Sequence, residues 1–386
     1  VYGADLDGDG DKDVLSASSD NKIAWYENLD GQGAFGVQQV ITHDADGAHT
    51  VFSADLDGDG DYDVLSASHD DNKIAWYENL DGQGAFGPQH VITITAYGAQ
   101  CVYSTDLDGD QDNDVLSASS LDDKIAWYEN LDGQGAFGPQ QVITASADGA
   151  LSVYSTDLDG DGDNDVLSAS YQDNKIAWYA NTDGLGQFGP QQVIAEWVVE
   201  AYSVYSADLD GDGDNDVLTA SWYDNKISWY ENTDGSGTFG LQQIITNNAD
   251  RAYSVYSIGL DGDGDNDVLS ASFDDSKIAW YRNEGPLGFN QGSNSSSIPH
   301  SFRVRSIHPN PFNPTTAISI QLSALSHVNL SVYDISGRKV ATLIDGFRNA
   351  GSYEVTFDGS KLASGIYFYR LTAGDYTANG KVVLMK

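Results

Sequence analysis

The residues of this sequence best suited to chemistry are aspartates at alternate positions. Asp5, Asp7, Asp9, Asp11 and Asp13 fall within nine residues, with Gly10 sixth. The pattern returns at Asp55, Asp57, Asp59, Asp61 and Asp63, and at Asp106, Asp108, Asp110, Asp112 and Asp114. It returns again at Asp157, Asp159, Asp161, Asp163 and Asp165, and at Asp208, Asp210, Asp212, Asp214 and Asp216. A sixth copy keeps Asp261, Asp263, Asp265 and Asp267 but has Gly259 in first place. Ca²⁺ takes about six to eight oxygens at about 2.3–2.6 Å, and alternate carboxylates can close round one ion where the chain curls. The seventh residue adds its backbone carbonyl, and the last aspartate closes the shell. Glycine at position six permits the positive φ of the curl. These 29 aspartates are the expected metal ligands, and about four to six Ca²⁺ ions the expected cofactor. Gln111 replaces that glycine in the third copy, at a cost on the order of 1 kcal/mol. The third and sixth loops are therefore expected to bind more weakly. An ion-free Asp-Gly turn is the plainer alternative, but five aspartates at one place in each unit argue against it.

Charge follows the same pattern. The 386 residues carry a formal net charge of −41, and removing the 29 loop aspartates would leave −12. So strong a negative charge repels phosphate, which excludes a general nucleic-acid binder. Cys101 is the only cysteine, so no intrachain disulfide can form. No stretch approaches the 18 apolar residues of a membrane-spanning helix, so no transmembrane segment is expected. Val1 opens inside a repeat with no signal-peptide pattern, which reads as a processed or truncated product.

The aspartate loops recur at spacings of 50, 51, 51, 51 and 51 residues, the size of a propeller blade. Each unit reads as four strands. In the fifth these are residues 203–207, 216–221, 226–231 and 239–246, with turns at Asp224-Asn225 and at 234–237. Strands flank the loops where an EF-hand or dockerin would have helices. The third strand places Trp229 beside Tyr230, and the pair recurs at Trp25, Trp76, Trp127, Trp178 and Trp280. Adjacent strand residues face opposite ways, so both sheet faces must be covered. Stacked blades do this and a lone sandwich does not. The expected fold is all-β: a β-propeller of six visible four-stranded blades over residues 1–288, a linker at 289–300, and a small immunoglobulin-like β-sandwich at 301–386. After Asn283 only Gly288-Phe289 resembles a fourth strand. Either six blades close imperfectly or further repeats lie upstream; a truncated seven-bladed ring is the preferred reading.

The aspartate loops, the Asp-Val-Leu that follows them, and Phe35-Gly36, Phe86-Gly87, Phe137-Gly138, Phe188-Gly189 and Phe239-Gly240 resemble the FG-GAP or VCBS-type repeat of integrin-α-like propellers. The resemblance covers residues 1 to about 288. It implies structural calcium in the loops and a ligand-binding face on the blades. It does not name the ligand, because this fold binds many things.

Beyond the Ser-rich linker the aspartate loops stop. Strands are expected at 317–322, 328–333, 339–343, 351–357, 365–372 and 381–384, six or seven in all. Pro309, Pro311 and Pro314 are expected to prevent regular pairing before the first of them. Residues 309–314 (Pro-Asn-Pro-Phe-Asn-Pro), 332–338 (Val-Tyr-Asp-Ile-Ser-Gly-Arg), 362–367 (Leu-Ala-Ser-Gly-Ile-Tyr) and 381–384 (Lys-Val-Val-Leu) resemble the type IX C-terminal sorting domain of Bacteroidota-like bacteria. This implies export across the outer membrane of a Gram-negative bacterium and cleavage near the linker. Release or attachment to the outer cell surface follows. The partners implied are the secretion machinery and a sortase.

No catalytic residue is expected. His43, His49, His69, His90, His300, His308 and His327 share no repeated position, and nucleophile, zinc and phosphate-loop motifs are missing. Comparing the repeats exposes variable positions after the second strand and before the first. Tyr171, Tyr202, Trp222, Tyr253 and Phe273 occupy them and are expected to gather on one rim, opposite the aspartate loops. Such a rim could stack sugar rings or grip a protein; loop packing explains it equally well. The expected function is a non-catalytic, calcium-stabilised surface propeller for adhesion or ligand binding. The alternative is a carbohydrate-binding module of a larger secreted enzyme.

Overall fold

A Trp-Tyr pair on one strand forces burial of two faces, and stacked sheets meet that demand. The computed structural model describes residues 1–284, 303–322, 326–348, 351–373 and 376–386. The chain divides into two compact units, Val1–Gln291 and Gly292–Lys386.

In the first unit each repeat is an antiparallel meander. The strands of blade five are Ala201–Ala207, Asp216–Ser221, Lys226–Tyr230 and Gln243–Thr246, hydrogen-bonded in that order. Blades one to five have four strands. Blade six has three among the described residues: Ala252–Ile258, Asp267–Ser272 and Lys277–Tyr281. Its expected remnant, Gly288-Phe289, and the expected linker lie outside the described residues. The fourth strand also differs from expectation. Phe239 makes a lone bridge to Asn232 and pairing resumes only at Gln243. The Asp234 carboxylate accepts the Ser236 and Thr238 amides at 3.0 and 3.2 Å, curling the chain there.

Five hydrophobic cores lie between successive blades, each built from two sheets. The first holds Leu6, Leu15 and Trp25 of blade one with Val51, Val64 and Tyr77 of blade two. In all five cores the tryptophan of one blade joins the tyrosine of the next. This explains the Phe-Gly motif as well. Phe86 packs edge-on against Trp25 of the preceding blade at 6.4 Å, and Phe188 against Trp127 at 6.5 Å. The first strands bring Tyr2, Phe52, Tyr103, Tyr154, Tyr205 and Tyr256 into one row, with ring centroids 4.6–4.9 Å apart.

Polar bonds repeat along with the cores. Asn130 Nδ2 donates to the Leu56 carbonyl of the preceding blade at 2.8 Å, and its Oδ1 accepts the Gly135 amide at 3.2 Å. Asn79, Asn181, Asn232 and Asn283 reach back in the same way to Leu6, Leu107, Leu158 and Leu209. Asn28 of blade one donates within its own blade, to the Lys12 carbonyl at 3.2 Å. Among the described residues, the sheet packing of the five junctions is not repeated from blade six to blade one. There Leu260 is 45% and Ile278 77% exposed, whereas their counterparts in other blades are buried.

Among the described residues the second unit is a two-sheet sandwich of seven strands. Arg303–His308, Thr315–Leu322 and Gly351–Asp358 form one sheet. Lys339–Arg348, Ser326–Tyr333, Gly365–Ala373 and Tyr376–Leu384 form the other, in that order. One core joins them through Phe312, Ile318, Leu330, Phe357 and Leu384. The expectation that pairing starts after the prolines is corrected: Arg303–His308 pairs with Thr315–Leu322 ahead of them. The prolines fall in the connection, where the ladder needs no amide from them. Phe312 still pairs beside Leu384, its amide bonding the Val383 carbonyl at 2.9 Å.

The reach of each asparagine predicts a contrast. Asn130→Ala leaves the buried Leu56 carbonyl without its donor and should cost about 1–3 kcal/mol more than Asn28→Ala. Urea unfolding of the two variants measures this; equal losses would remove the inter-blade bond from the account.

Candidate metal centres and the aromatic rim

Each aspartate loop connects the first and second strands of its blade and is shaped by its own carboxylates. Asp5 accepts the Gly8 amide at 2.9 Å and the Gly10 amide at 3.0 Å. Asp7 accepts from Asp9 at 3.3 Å, and Asp9 from Asp11 at 2.9 Å. The final aspartate is buried. Asp63 accepts the Leu56 amide at 2.9 Å and the Asn79 amide at 2.8 Å, pinning the loop to the end of the third strand. Asp114, Asp165 and Asp216 do the same in their blades.

The first, third and ninth positions of five loops converge. In Asp5–Asp7–Asp13, Asp55–Asp57–Asp63, Asp106–Asp108–Asp114, Asp157–Asp159–Asp165 and Asp208–Asp210–Asp216, one carboxylate oxygen from each residue lies within 4.8 Å of the others. Oxygens on one cation at about 2.4 Å are at most about 4.8 Å apart, so the spacing fits a shared ion. Asp159 Oδ1 is buried without a hydrogen-bond partner, as a ligand atom lacking its ion would be. These loops could each hold a metal. The fifth- and seventh-position aspartates lie outside the clusters: Asp9, Asp59, Asp110, Asp161 and Asp212, and Asp11, Asp61, Asp112, Asp163 and Asp214. The seventh-position side chains turn toward the next turn of the same blade. A Cβ built on Gly133 would sit 2.4 Å from the Asp112 carboxylate. Gln111 adopts φ 78° and its amide reaches Asp106 at 2.9 Å, as the glycine does elsewhere, so the third loop keeps its cluster.

The sixth loop is different. With Gly259 in first place it has no cluster among the described residues. Asp267 still accepts the Leu260 and Asn283 amides at 3.0 and 2.9 Å. Arg282 grips two of the others: Nε lies 2.6 Å from Asp261 and Nη2 2.7 Å from Asp263. That contact holds the Asp263 carboxyl below the usual range. Asp265 stays outside this pairing, its amide bonding Asp263 at 3.2 Å.

On the rim, the five predicted aromatics come together. Tyr202 stacks on Trp222 at 4.7 Å and lies 6.4 Å from Tyr171 and 5.4 Å from Tyr253. Trp222 also meets Tyr253 at 5.9 Å and Phe273 at 5.4 Å, and Arg251 sits 5.2 Å over its ring. Tyr171, Tyr202 and Tyr253 line a cavity of about 700 Å³ together with His49, whose Nε2 lies 3.3 Å from the Tyr253 hydroxyl. A second pocket of about 540 Å³ is bordered by Glu200, Trp222, Tyr223, Asp250, Arg251 and Asp274. Arg251 pairs with Asp274 at 3.0 Å.

Four rim residues escaped the sequence reading: Trp197, Glu200, Tyr223 and Arg251. Trp197 and Tyr223 are 79% and 73% exposed. The signal for two of them was present. Glu200 and Arg251 stand where sibling repeats carry Gly47, Gly98 and Gly149, and all five positions have φ between 53° and 67°. A non-glycine residue there costs about 1–2 kcal/mol, which marks a side chain retained despite strain.

Burial pushes the carboxyls of Asp63, Asp114, Asp165 and Asp216 up to about 7, against the lowering effect of their two amide bonds. Between the ordinary carboxylate range and pH 7, the folded metal-free chain keeps protons that the unfolded chain has lost. Unfolding then releases protons, so stability falls as pH rises through this window. In EDTA the thermal midpoint should be higher at pH 5.5 than at pH 7.5. With metal bound the order should reverse, because protons compete for the same oxygens. A midpoint in EDTA that rises with pH would contradict this.

Comparison with known proteins agrees with the geometry. The family model for the FG-GAP-like repeat matches residues 5–66, 55–117, 106–168 and 157–219. That for the secretion system C-terminal sorting domain matches residues 306–385. No curated protein matches the sequence. Among solved structures, the chain is similar to PorZ, a surface component of the type IX secretion system of Porphyromonas gingivalis. Identity is 12% and TM-score 0.45, over 98% of this chain and 51% of PorZ. It thus spans about half the length of that protein. A functionally unknown protein from Desulfotomaculum acetoxidans gives 13% identity and TM-score 0.44, over 89% of this chain and 98% of that one. An aldose sugar dehydrogenase from Streptomyces coelicolor gives 14% and 0.44, over 68% and 85%. The sorting domain directs export by type IX secretion to the outside or the cell surface. That route is not sortase-based, which corrects the sortase expectation. The chain belongs to the FG-GAP-like repeat family and ends in a secretion system C-terminal sorting domain.

Proposed function

We propose that this exported chain is a non-catalytic, calcium-stabilised propeller that binds a protein partner through the rim of blades four to six. One observation carries the reading. The repeats are close to identical, yet a group of aromatic and charged departures collects on one edge: Trp197, Glu200, Trp222, Tyr223, Arg251 and Phe273. Two of them occupy the strained positions that sibling blades fill with glycine. Trp, Tyr and Arg are the residues that dominate protein interfaces. The Trp222 ring is already engaged by Tyr202, Tyr253, Phe273 and Arg251, which leaves little of it for a sugar. Sugar binding retains one supporting observation: exposed Tyr223 borders a pocket with Asn225, Asp250 and Asp274, whose side chains suit hydroxyl groups.

Calcium is the metal proposed for the five clusters, because the donors are all carboxylate oxygens and Ca²⁺ tolerates variable oxygen geometry. Asp5, Asp7 and Asp13 and their counterparts would hold the ion. Bound calcium neutralises carboxylates that otherwise repel one another, and so fixes the loops that tie each blade together.

Two measurements test the reading. Each loop held at about 100 times its Kd adds about 2.7 kcal/mol, so EDTA should lower the thermal midpoint by more than about 5 °C, with recovery in excess calcium. An unchanged midpoint rejects structural calcium. For the rim, binding is screened on a glycan array and on a panel of immobilised extracellular proteins. Arg251→Gly restores the sibling residue and should preserve stability. Together with Tyr223→Ser it should weaken protein binding at least about tenfold, about 1.4 kcal/mol. Binding to glycans alone would favour the lectin reading, and binding unaffected by either variant would exclude the rim.

A further inference from the structure

The residue after each Trp-Tyr pair faces the aspartate loop of its own blade. It is Glu27, Glu78, Glu129, Ala180 and Glu231 in blades one to five, and Arg282 in blade six. Glu78 shares a pocket with Asp57 and Asp59. In blade six this position changes from a carboxylate to a guanidinium, and in the same blade Gly259 removes the first aspartate.

Two independent changes thus move one loop in the same direction, losing a negative ligand and gaining a positive group. Arg282 contacts Asp261 at 2.6 Å and Asp263 at 2.7 Å, the third and fifth loop positions. The guanidinium has planar, fixed donors and stays charged at any pH the protein meets. Its charge lies among the carboxylates that an ion would otherwise neutralise. The backbone pattern of the loop survives: the Asp263 and Asp265 amides still bond the preceding alternate carboxylates at 3.2 Å, and Asp267 keeps both its amides.

We infer that Arg282 is the built-in cation of the sixth loop: it replaces the metal ion there, so that blade six holds its loop without metal while the other five depend on it. This rests on the calcium reading of the five clusters. It makes the position after Trp-Tyr the selector between a metal-dependent and a metal-independent blade. In blade four Ala180 leaves that selector neutral.

The full chain tests this. Bound calcium is counted by equilibrium dialysis and elemental analysis for the wild type and for the double variant Gly259→Asp, Arg282→Glu. The variant should hold one more ion per chain. Equal non-zero counts overturn the role of Arg282 alone, whereas no ion on either protein overturns the calcium reading and this inference with it. A second arm needs no new site to fold. In EDTA, Arg282→Gln should lower the thermal midpoint by about 2 °C, since Asp261 and Asp263 lose the guanidinium that pairs them. Glu27→Gln, which relieves repulsion, should raise or preserve it. A midpoint indifferent to Arg282→Gln counts against the inference.

Discussion

The structure depends on one buried carboxylate per blade, the last aspartate of each loop. Asp63 accepts an amide from the start of its loop and another from Asn79 at the end of the third strand. The side chain of Asn79 in turn reaches Leu6 of the blade before. Two side chains, Asp63 and Asn79, therefore couple the aspartate loop, the sheet that carries it and the neighbouring blade. Burying a charge is costly unless it is satisfied. Two amides do part of that, and a cation shared with the first and third positions would complete it.

That coupling explains why the repeat varies so little. The loop, the Trp-Tyr pair, the asparagine and the Phe-Gly motif all take part in one junction, so changing any of them is felt by two blades. Where variation is tolerated, it lies off the junction, on the rim. Departures at the loops also occur, at Gln111, Gly259, Ala180 and Arg282, and Arg282 supplies a compensating charge. Blade six is also the blade whose outer face carries exposed Leu260 and Ile278.

Much of the site was legible in the chain. Alternating aspartates, a glycine at the curl and a spacing of 50 or 51 residues located every loop. Which carboxylates converge was not legible, because side-chain direction within a curled loop depends on hydrogen bonds of the surrounding blade. All five aspartates look alike in sequence, yet only the first, third and ninth converge, while the seventh turns toward the next turn of its own blade. Gln111 shows a loop geometry kept across a change of residue: it is held at the positive φ of 78° that glycine takes elsewhere, and its blade keeps the cluster. In the sorting domain the prolines suggested a late start, but they occupy a connection and spare the strand before them.

Sequence alone determined that this chain is a repeat of short strands, that the third strand of each unit must bury two faces, and that acid is concentrated at one place per unit. These are properties of spacing and residue type, and a periodic chain displays them without folding. Only the tertiary structure decided that Arg282 meets Asp261 and Asp263, residues 21 and 19 positions earlier by number. It also decided that Arg251 covers Trp222, 29 positions away. Such meetings depend on how the meander returns each strand end to its loop. A charge at one position acquires its role from groups that only the folded sheet brings within hydrogen-bonding distance.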